Sequence, residues 1–193
     1  MEQFRNIDQL TDEQLVPLVL EDKNSFALIT SRYKVKLFNY ISRLTNINND
    51  DAEDLLQDIF LKVYLNLNSF NQKMKFSSWI YTIARHQVIS HYRKLHVRPE
   101  GHADVLDDQL AGRLMADFNL PRIVDQRYAK SAVNDALFRL QSKYREVIIL
   151  RFIEEKNYQE ISDIIRKPIG TVGSMLNRAK EELGKNLVLK KQL

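Results

Sequence analysis

The chain lacks cysteine and contains little glycine, proline or tryptophan. Its 193 residues include no cysteine, five glycines, four prolines and one tryptophan. The absence of cysteine excludes disulfides and thiolate metal ligands. Because helix breakers are few and alternating β-branched segments are scarce, the composition predicts an all-α fold.

The sequence also lacks the features of membrane insertion and of catalysis. No apolar run is long enough to cross a bilayer, and the N-terminus lacks the layout of a signal peptide. The four histidines, at 86, 91, 96 and 102, are five or six residues apart, and five residues rotate a helix by about 140°. They do not converge on a metal, and neither a phosphate loop nor a nucleophile motif is present. We therefore expect no direct membrane insertion, a cytoplasmic location, no enzyme activity, no metal and no cofactor.

Charge is distributed unevenly along the chain, although the net charge is only +4. Residues 1–60 hold 6 Lys and Arg against 11 Asp and Glu, and residues 61–100 hold 7 against 1. Residues 101–125 are acidic again, with 2 against 5, and residues 126–193 hold 14 against 8. Two basic blocks separated by an acidic one indicate two nucleic-acid contacts and at least one basic protein partner. Ordinary variation in a charged soluble protein is the alternative.

Periodicity predicts two helical domains joined by a linker. The first domain, 1–97, contains helices over 12–20, 25–44, 51–66 and 76–95. Residues 98–125 lose the periodicity, gather prolines and acidic residues, and are predicted to be a flexible linker with transient helix around 108–118. The second domain, 126–193, begins with helices over 128–140 and 143–153.

The segment 157–183 reads as two short helices joined by a tight corner. Pro168 prevents one continuous helix, and Gly170 or Thr171 is predicted to cap the second. Helical spacing brings two apolar stripes together: Ile161, Ile164 and Ile165 on the first helix, and Val172, Leu176, Ala179 and Leu183 on the second. This pattern is typical of a helix-turn-helix, whose second helix enters the major groove of DNA. A helical hairpin within an all-α core is the alternative.

Two further helices carry patterns that favour binding. Over 51–64, Leu55, Ile59 and Val63 form an inward stripe, while carboxylates, an amide and Leu61 lie outward. That outward face predicts either protein docking or an ordinary solvated acidic surface. The helix over 76–94 interleaves aromatic rings with cations, a combination that stacks unpaired bases and holds the nucleic-acid backbone. Core packing is the alternative for its aromatic residues, Trp79 included.

The order of these motifs resembles a known family. An Asp-Ala-Glu-Asp-Leu-x-Gln-Asp-x-Phe helix, a Phe-x-x-Trp-Ile-x-x-Ile-Ala-Arg helix, a linker and a terminal helix-turn-helix with Pro-Ile-Gly-Thr-Val resemble the extracytoplasmic-function (ECF) group of the sigma-70 family. These are bacterial RNA polymerase sigma factors. The resemblance covers about residues 10–97 and 126–187. It implies a region 2 helical bundle, a region 4 helix-turn-helix domain, and two partners, core RNA polymerase and promoter DNA.

The resemblance also implies roles for particular residues. The predicted contacts to the β′ coiled coil of core polymerase are Asp51, Asp54, Gln57, Asp58 and Phe60. The predicted contacts to the −10 element are Trp79, Arg85, His86, Ser90, Tyr92, Arg93 and Lys94. The predicted contacts to the −35 element are Lys167, Thr171, Ser174, Asn177 and Arg178. The linker is expected to follow the path of RNA, helices around 144–152 to meet the β flap, and an anti-sigma factor to bind the chain.

Five positions depart from the family pattern. His86 stands where asparagine is usual, and Ser90 where aspartate is usual. Arg166 replaces the glycine common at the corner of the helix-turn-helix. Gly173 and Met175 replace a basic pair on the second helix. These departures predict an unusual −35 sequence or a weaker dependence on it, and they leave the preferred −10 base open.

The sequence is therefore consistent with two functions. A sigma factor would direct core polymerase to promoters and begin melting at the −10 element. A stand-alone helix-turn-helix regulator would bind duplex operator DNA without polymerase. The second hypothesis leaves the aromatic and cationic helix over 76–94 without a role.

Overall fold

The computed structural model describes residues 9–95 and 126–189. Residues 9–95 are called the N-terminal unit below, and residues 126–189 the C-terminal unit. The predicted linker over 98–125, with its helix around 108–118, lies outside the described residues. Within the described ranges every regular element is helical, which confirms the predicted all-α class.

The N-terminal unit consists of four α-helices: α1 (Asp12–Glu21), α2 (Phe26–Thr45), α3 (Asn49–Asn66) and α4 (Phe76–Leu95). The C-terminal unit contains α5 (Gln126–Arg139), α6 (Ser142–Ile148), a π-helical turn (Ile149–Ile153), α7 (Tyr158–Ile165) and α8 (Ile169–Leu189). The periodicity located these helices to within two residues at most ends, but it did not predict the π turn.

Local chemistry explains where the N-terminal helices begin. Thr11 and Gln14 form a capping box at the start of α1, and Asn48 accepts a hydrogen bond from the Asp51 backbone N–H, 2.8 Å away, at the start of α3. The start of α4 is capped from another helix, because the Glu13 carboxylate accepts from the Phe76 backbone N–H at 2.8 Å. This bond fixes α4 against α1.

The helix-turn-helix forms with its two apolar stripes buried, as predicted. Ile161, Ile164 and Ile165 meet Val172, Leu176, Ala179 and Leu183, and each side chain is no more than 4% exposed. Asn157 and Glu160 form a capping box at the start of α7. At the corner Arg166 adopts the left-handed conformation, with φ 54° and ψ 51°, a conformation that glycine adopts without strain.

The second helix of this motif begins earlier than the sequence suggests. The backbone N–H groups of Thr171 and Val172 donate to the Pro168 carbonyl at 2.8 and 3.1 Å, so α8 starts at Ile169. The prediction that Gly170 or Thr171 caps this helix is therefore wrong. Pro168 is itself the N-cap, because its carbonyl accepts the first helical hydrogen bonds, and its missing N–H is not needed at that position.

The two units pack directly against each other. Helix α4 contacts α7, and α2 contacts both α6 and the π turn. The Arg145 guanidinium donates to the Leu44 carbonyl of the N-terminal unit at 3.1 Å, and it also donates to the Phe138 carbonyl of its own unit at 2.7 Å. This contact ties the C-terminal end of α2 to the C-terminal unit. No helix in the described ranges is both long enough and apolar enough to span a bilayer.

Candidate nucleic-acid and polymerase interfaces

The outward face of α3 is acidic and partly apolar. Asp51, Asp54, Gln57 and Asp58 are exposed, whereas the predicted inward stripe of Leu55, Ile59 and Val63 is buried. Two large apolar side chains, Leu61 and Leu65, lie 56% and 62% exposed on the same helix. Exposed leucines beside carboxylates form an amphipathic surface suited to a partner with apolar and basic side chains.

Phe60 is less accessible than its neighbours on α3. It is half-buried and meets Phe26 edge to face, with 6.3 Å between ring centroids. Its ring therefore contributes to the packing of α3 on α2, and only part of it faces outward. The other four predicted docking residues share one exposed surface, and Phe60 borders it.

Trp79 lies between the core and the surface. Its ring packs against Phe70 and Phe76, with centroids 5.4 and 5.5 Å away, and it is half-buried. The two sequence interpretations, core residue and base-stacking residue, are thus both compatible with its position. The ring stabilises the aromatic cluster while part of the residue stays accessible.

Arg85 and His86 lie on the side of α4 that meets the C-terminal unit. The Arg85 guanidinium donates to the Glu146 carboxylate at 2.7 Å. His86 is exposed, and its pKa is lowered by partial burial and by the positive charges of Arg166 and Arg85. A histidine beside two arginines is a hydrogen-bonding group in a cationic setting, which suits contact with nucleic acid.

The remaining predicted −10 residues lie toward the C-terminal end of α4. Ser90 and Arg93 are exposed. The Tyr92 hydroxyl instead donates to the Thr45 carbonyl at 2.5 Å, anchoring α4 to the end of α2. Burial raises the pKa of Tyr92. The side chain of Lys94 lies outside the described part of the chain.

The start of α8 presents polar side chains opposite its buried stripe. Ser174, Asn177 and Arg178 are exposed, as is Lys167 just before the helix. Thr171 is half-buried, and its carbonyl accepts from the Ser174 hydroxyl at 2.9 Å. Since Val172 and Leu176 on the opposite face are buried, the predicted −35 residues lie together at the outer side of the helix-turn-helix.

Residues around 144–152, predicted to meet the β flap, lie mostly in the core. Tyr144 is 6% exposed, and Val147 and Leu150 are fully buried. Phe152 remains half-buried, with the Lys180 ammonium 5.2 Å from its ring centroid. The apolar run in the sequence thus supports the fold of the C-terminal unit, and the flap contact stays a prediction.

Several polar residues between the two units were not identified from the sequence. Glu146 and Glu154 belong to the C-terminal unit and are almost buried, yet each binds side chains of the N-terminal unit. A sequence signal exists for both, because each glutamate adjoins the segment 147–153, in which Arg151 is the only polar residue. Charged residues beside such a run are rarely buried without a partner.

The described carboxylates and histidines do not form a metal site. Within residues 9–95 and 126–189, no three histidine or carboxylate side chains lie together in a set that could hold a metal ion. The clusters that do occur pair carboxylates with arginine, lysine or tyrosine. These clusters are salt bridges and hydrogen bonds.

Two family models match the chain. Sigma-70 region 2 matches residues 29–97, and sigma-70 region 4 matches residues 130–183. The first match includes α3 and α4, and the second includes the helix-turn-helix. This order of regions is that of the sigma-70 class.

Relatives with sequence similarity along most of the chain specify the group. The chain is 34% identical over 175 residues to the ECF RNA polymerase sigma factor SigW of Bacillus subtilis, covering 86% of this chain and 90% of the relative. It is 30% identical over 179 residues to the ECF RNA polymerase sigma-E factor of Haemophilus influenzae, covering 90% and 94%. The chain therefore belongs to the ECF group of RNA polymerase sigma factors, and the stand-alone regulator is not supported.

Solved structures agree on the fold. The sigma factor RpoE of Bartonella quintana, solved in complex with the anti-sigma factor NepR, superposes with a TM-score of 0.65 at 25% identity. That match covers 84% of this chain and 96% of the other. CnrH, solved in complex with the cytosolic domain of CnrY, gives a TM-score of 0.67 at 21% identity over 92% and 97% of the two chains.

Proposed function

We propose that the chain acts in the cytoplasm as a dissociable, non-catalytic initiation subunit with three separate contacts. The exposed face of α3 binds the β′ coiled coil of core RNA polymerase. Helix α4 binds and opens the −10 element, and the start of α8 binds the −35 element. The domains are proposed to be 1–97 and 126–193, with 98–125 as the linker.

The observation that carries this proposal is the partition of side chains on α8. Ser174, Asn177 and Arg178 are exposed together, while Val172 and Leu176 on the opposite face are buried. Exposed hydroxyl, amide and guanidinium groups at the start of the second helix of a helix-turn-helix suit phosphates and base edges in the major groove.

Melting at the −10 element is proposed for α4. Flipping a base costs a few kcal/mol, and a partly accessible aromatic ring such as Trp79 offsets that cost by stacking. The exposed Arg93 and Ser90 provide backbone contacts on the same helix. The departures at His86 and Ser90 make the preferred base specific to this chain.

An anti-sigma factor is proposed as a regulatory partner. The structurally similar sigma factor RpoE was solved in complex with the anti-sigma factor NepR. An inhibitor of this chain would cover the DNA-binding surfaces of α4 and α8, because masking both prevents promoter recognition.

Run-off transcription tests the proposed function. Purified core polymerase should transcribe a cognate promoter selected from a genomic pool only when the chain is added.

The docking surface is tested by Asp54→Lys together with Asp58→Lys, which should weaken core binding roughly tenfold or more, because like charges then face a basic partner.

A matched control separates docking from net charge. The pair Glu21→Lys and Glu181→Lys makes the same change in charge at exposed sites outside α3, and it should leave core binding unchanged. Equal loss in both pairs would contradict the α3 surface. No stimulation of transcription from any promoter in the pool would contradict the function itself.

A further inference from the structure

One large apolar side chain is exposed where α8 begins. Ile169 is the first residue of that helix and is 50% exposed. Val172 and Leu176, which follow it, are no more than 1% exposed. A single exposed apolar residue is ordinary on a protein surface, so the significance of Ile169 depends on what surrounds it.

Ile169 lies in one row of the helix surface with a proposed DNA contact. Residues four apart are neighbours on a helix face, so Ile169, Gly173 and Asn177 follow one another along α8. Asn177 is exposed and is among the residues proposed to bind the −35 element. Because Gly173 has no side chain, this row has a gap between the isoleucine and the asparagine.

Tyr158 borders the gap left by Gly173. A Cβ at Gly173 would lie 3.9 Å from the Tyr158 ring, and the tyrosine is 41% exposed. The Arg151 guanidinium lies 5.6 Å from the centroid of this ring and donates to the Lys156 carbonyl at 3.0 Å. Contacts within the C-terminal unit therefore fix the position of the ring. We call Ile169, Gly173 and Tyr158 the apolar flank of the helix-turn-helix.

Packing inside the chain does not explain the glycine at 173. A methyl group there would stand at an ordinary van der Waals distance from its neighbour, and glycine is among the least favourable residues in a helix. Glycine allows a backbone to approach a ligand closely. For a helix that enters the major groove, that ligand is the edge of a base pair.

The major groove offers one apolar group to such a surface. All base pairs present hydrogen-bond donors and acceptors there, and only thymine adds a C5-methyl group. The isoleucine side chain forms no hydrogen bonds, so against cytosine it would leave the N4 amino group without a partner. The thymine methyl group is therefore the part of a base edge that Ile169 fits.

Polar groups beside Ile169 can hold the helix at the DNA backbone. Lys167 is exposed just before α8, and Thr171 is half-buried two residues after Ile169. An ammonium and a hydroxyl bind phosphates, which positions a protein on DNA without reading its sequence. Selection of the base is then left to side chains such as Ile169 and Asn177.

We propose that Ile169 is a specificity-determining residue that packs against the C5-methyl group of one thymine in the −35 element. Tyr158 shields this contact from water, and Gly173 gives the base edge room to approach. This inference rests on the proposed function, since it concerns how the same helix selects its promoter. Eight residues of α-helix span about 12 Å, so the thymine lies within about four base pairs of the base that Asn177 contacts.

Removing single methyl groups from the DNA tests the contact on the native chain. Deoxyuridine keeps the hydrogen-bonding groups of thymidine but lacks the C5-methyl group. Each thymine on either strand of the −35 element is replaced in turn, in a promoter selected from the genomic pool, and competition measures binding to core polymerase carrying the chain. One replacement should weaken binding about fourfold, the effect of removing one methyl group from an apolar contact.

This scan can contradict the proposal without any protein variant. A −35 element in which no replacement weakens binding, or in which all replacements weaken it equally, would overturn the role of Ile169. A selected element that contains no A·T pair would overturn it too. The result therefore stands even if a substitution at position 169 prevents folding, as judged by circular dichroism.

A substitution links the sensitive methyl group to Ile169. With Ile169→Ala, thymine and deoxyuridine at that position should bind equally well, whereas Ile169→Val keeps a branched apolar side chain and should retain most of the difference. Val35→Ala shortens another exposed apolar side chain, outside the helix-turn-helix, and should retain all of it. If Ile169→Ala keeps the fourfold difference, another group contacts the thymine and the proposal is wrong.

Adding a side chain at 173 tests the gap. Gly173→Lys places a long side chain between Ile169 and Asn177, so it should remove most of the difference between thymine and deoxyuridine. Gly184→Lys makes the same change later in α8, where a Cβ would meet no atom within 4 Å, and should leave the difference intact. If both variants retain the difference equally, the role assigned to Gly173 is wrong.

Run-off transcription keeps this inference apart from the proposed function. The unmodified promoter should be transcribed with the native chain, and more weakly with Ile169→Ala. If no promoter in the pool is transcribed, the proposed function fails and this inference fails with it. If transcription occurs but no methyl group matters, only the role of Ile169 fails. Weaker binding of Ile169→Ala to core polymerase without DNA would show that the apolar flank contacts polymerase, and would overturn the inference as well.

Discussion

Glu146 combines burial with an arginine and a tyrosine as hydrogen-bond donors. Burial raises its pKa, and this outweighs the opposite effects of the Arg85 charge and the Arg85 and Tyr40 hydrogen bonds. The folded chain therefore takes up a proton at Glu146 more readily than the unfolded chain does. By linkage, this residue contributes more to the stability of the fold as the pH falls.

The contribution of Glu146 to stability should therefore increase on acidification. The free energy of unfolding of the native chain, minus that of Glu146→Gln, should rise as the pH falls through the raised pKa, and level off below the ordinary value of 4.5. Glutamine cannot ionise, so the subtraction isolates this carboxyl group. Urea denaturation at several pH values measures the difference. A difference that falls on acidification would mean that pairing with Arg85 outweighs burial.

Arg166 stores backbone strain at the corner of the helix-turn-helix. Its φ of 54° lies in the left-handed region, where a side chain costs about 1 kcal/mol. Arg166→Gly should therefore raise the free energy of unfolding by up to about 0.5 kcal/mol, after allowing for the greater freedom of glycine in the unfolded chain.

Arg166→Ala separates strain from charge. Alanine keeps the Cβ that causes the strain but removes the guanidinium, so it should not stabilise the fold. Denaturant titration of both variants measures the two free energies of unfolding to be compared. If alanine stabilises the fold as much as glycine does, the gain comes from removing positive charge near His86 and not from the backbone.

At the scale of elements, α8 has an unusual composition for a DNA-binding helix. It contains Gly170, Gly173 and Gly184 within 21 residues. A Cβ at Gly173 would lie 3.9 Å from the Tyr158 ring, an ordinary van der Waals distance, and one at Gly184 would meet no atom within 4 Å. Neither position requires glycine for space.

Alanine at Gly173 should therefore stabilise the helix. Gly173→Ala is expected to raise the free energy of unfolding by about 0.5–1 kcal/mol from helix propensity. Gly184→Ala, in the same helix and with open space around it, is the matched control and should give a similar gain. Thermal denaturation compares them. A markedly smaller gain at 173 would show that the contact with Tyr158 is repulsive.

The elements also show what the sequence could predict. The buried stripes of α7 and α8 and the inward face of α3 follow from spacing alone, because amphipathic helices bury one face. The first residue of α8 was misjudged because proline was treated only as a helix breaker, although it is also favourable at a helix start. The π turn carries no periodic signal, since the run Val147–Leu150 is apolar throughout.

At the scale of the whole molecule, the two units share buried polar contacts. Arg145 bonds the Leu44 carbonyl, and Tyr40 bonds Glu146, so separation disrupts several interactions together. The sequence predicted two helical domains, but it did not predict that they pack against each other. The packing depends on contacts between distant segments, such as the one between Lys75 and Glu160, which are 85 residues apart. A single sequence does not show which distant residues will meet.

These shared contacts predict cooperative unfolding. Calorimetry of the free chain should show one transition, with the calorimetric enthalpy equal to the van't Hoff enthalpy. Glu146→Gln should divide it into two, because each unit retains its own core. Two transitions already present in the native chain would show that the units unfold independently.

The π turn gives this arrangement a sharp dependence on chain length. The turn already absorbs one residue beyond α-helical register, so inserting a further residue after Arg151 would rotate Glu154 by about 100°, away from Tyr81. The buried residues Ile149 and Leu150 precede that point and would keep their places in the core, but the register with the neighbouring unit would be lost. A single-codon insertion there would break this contact between the units without altering any DNA-binding side chain.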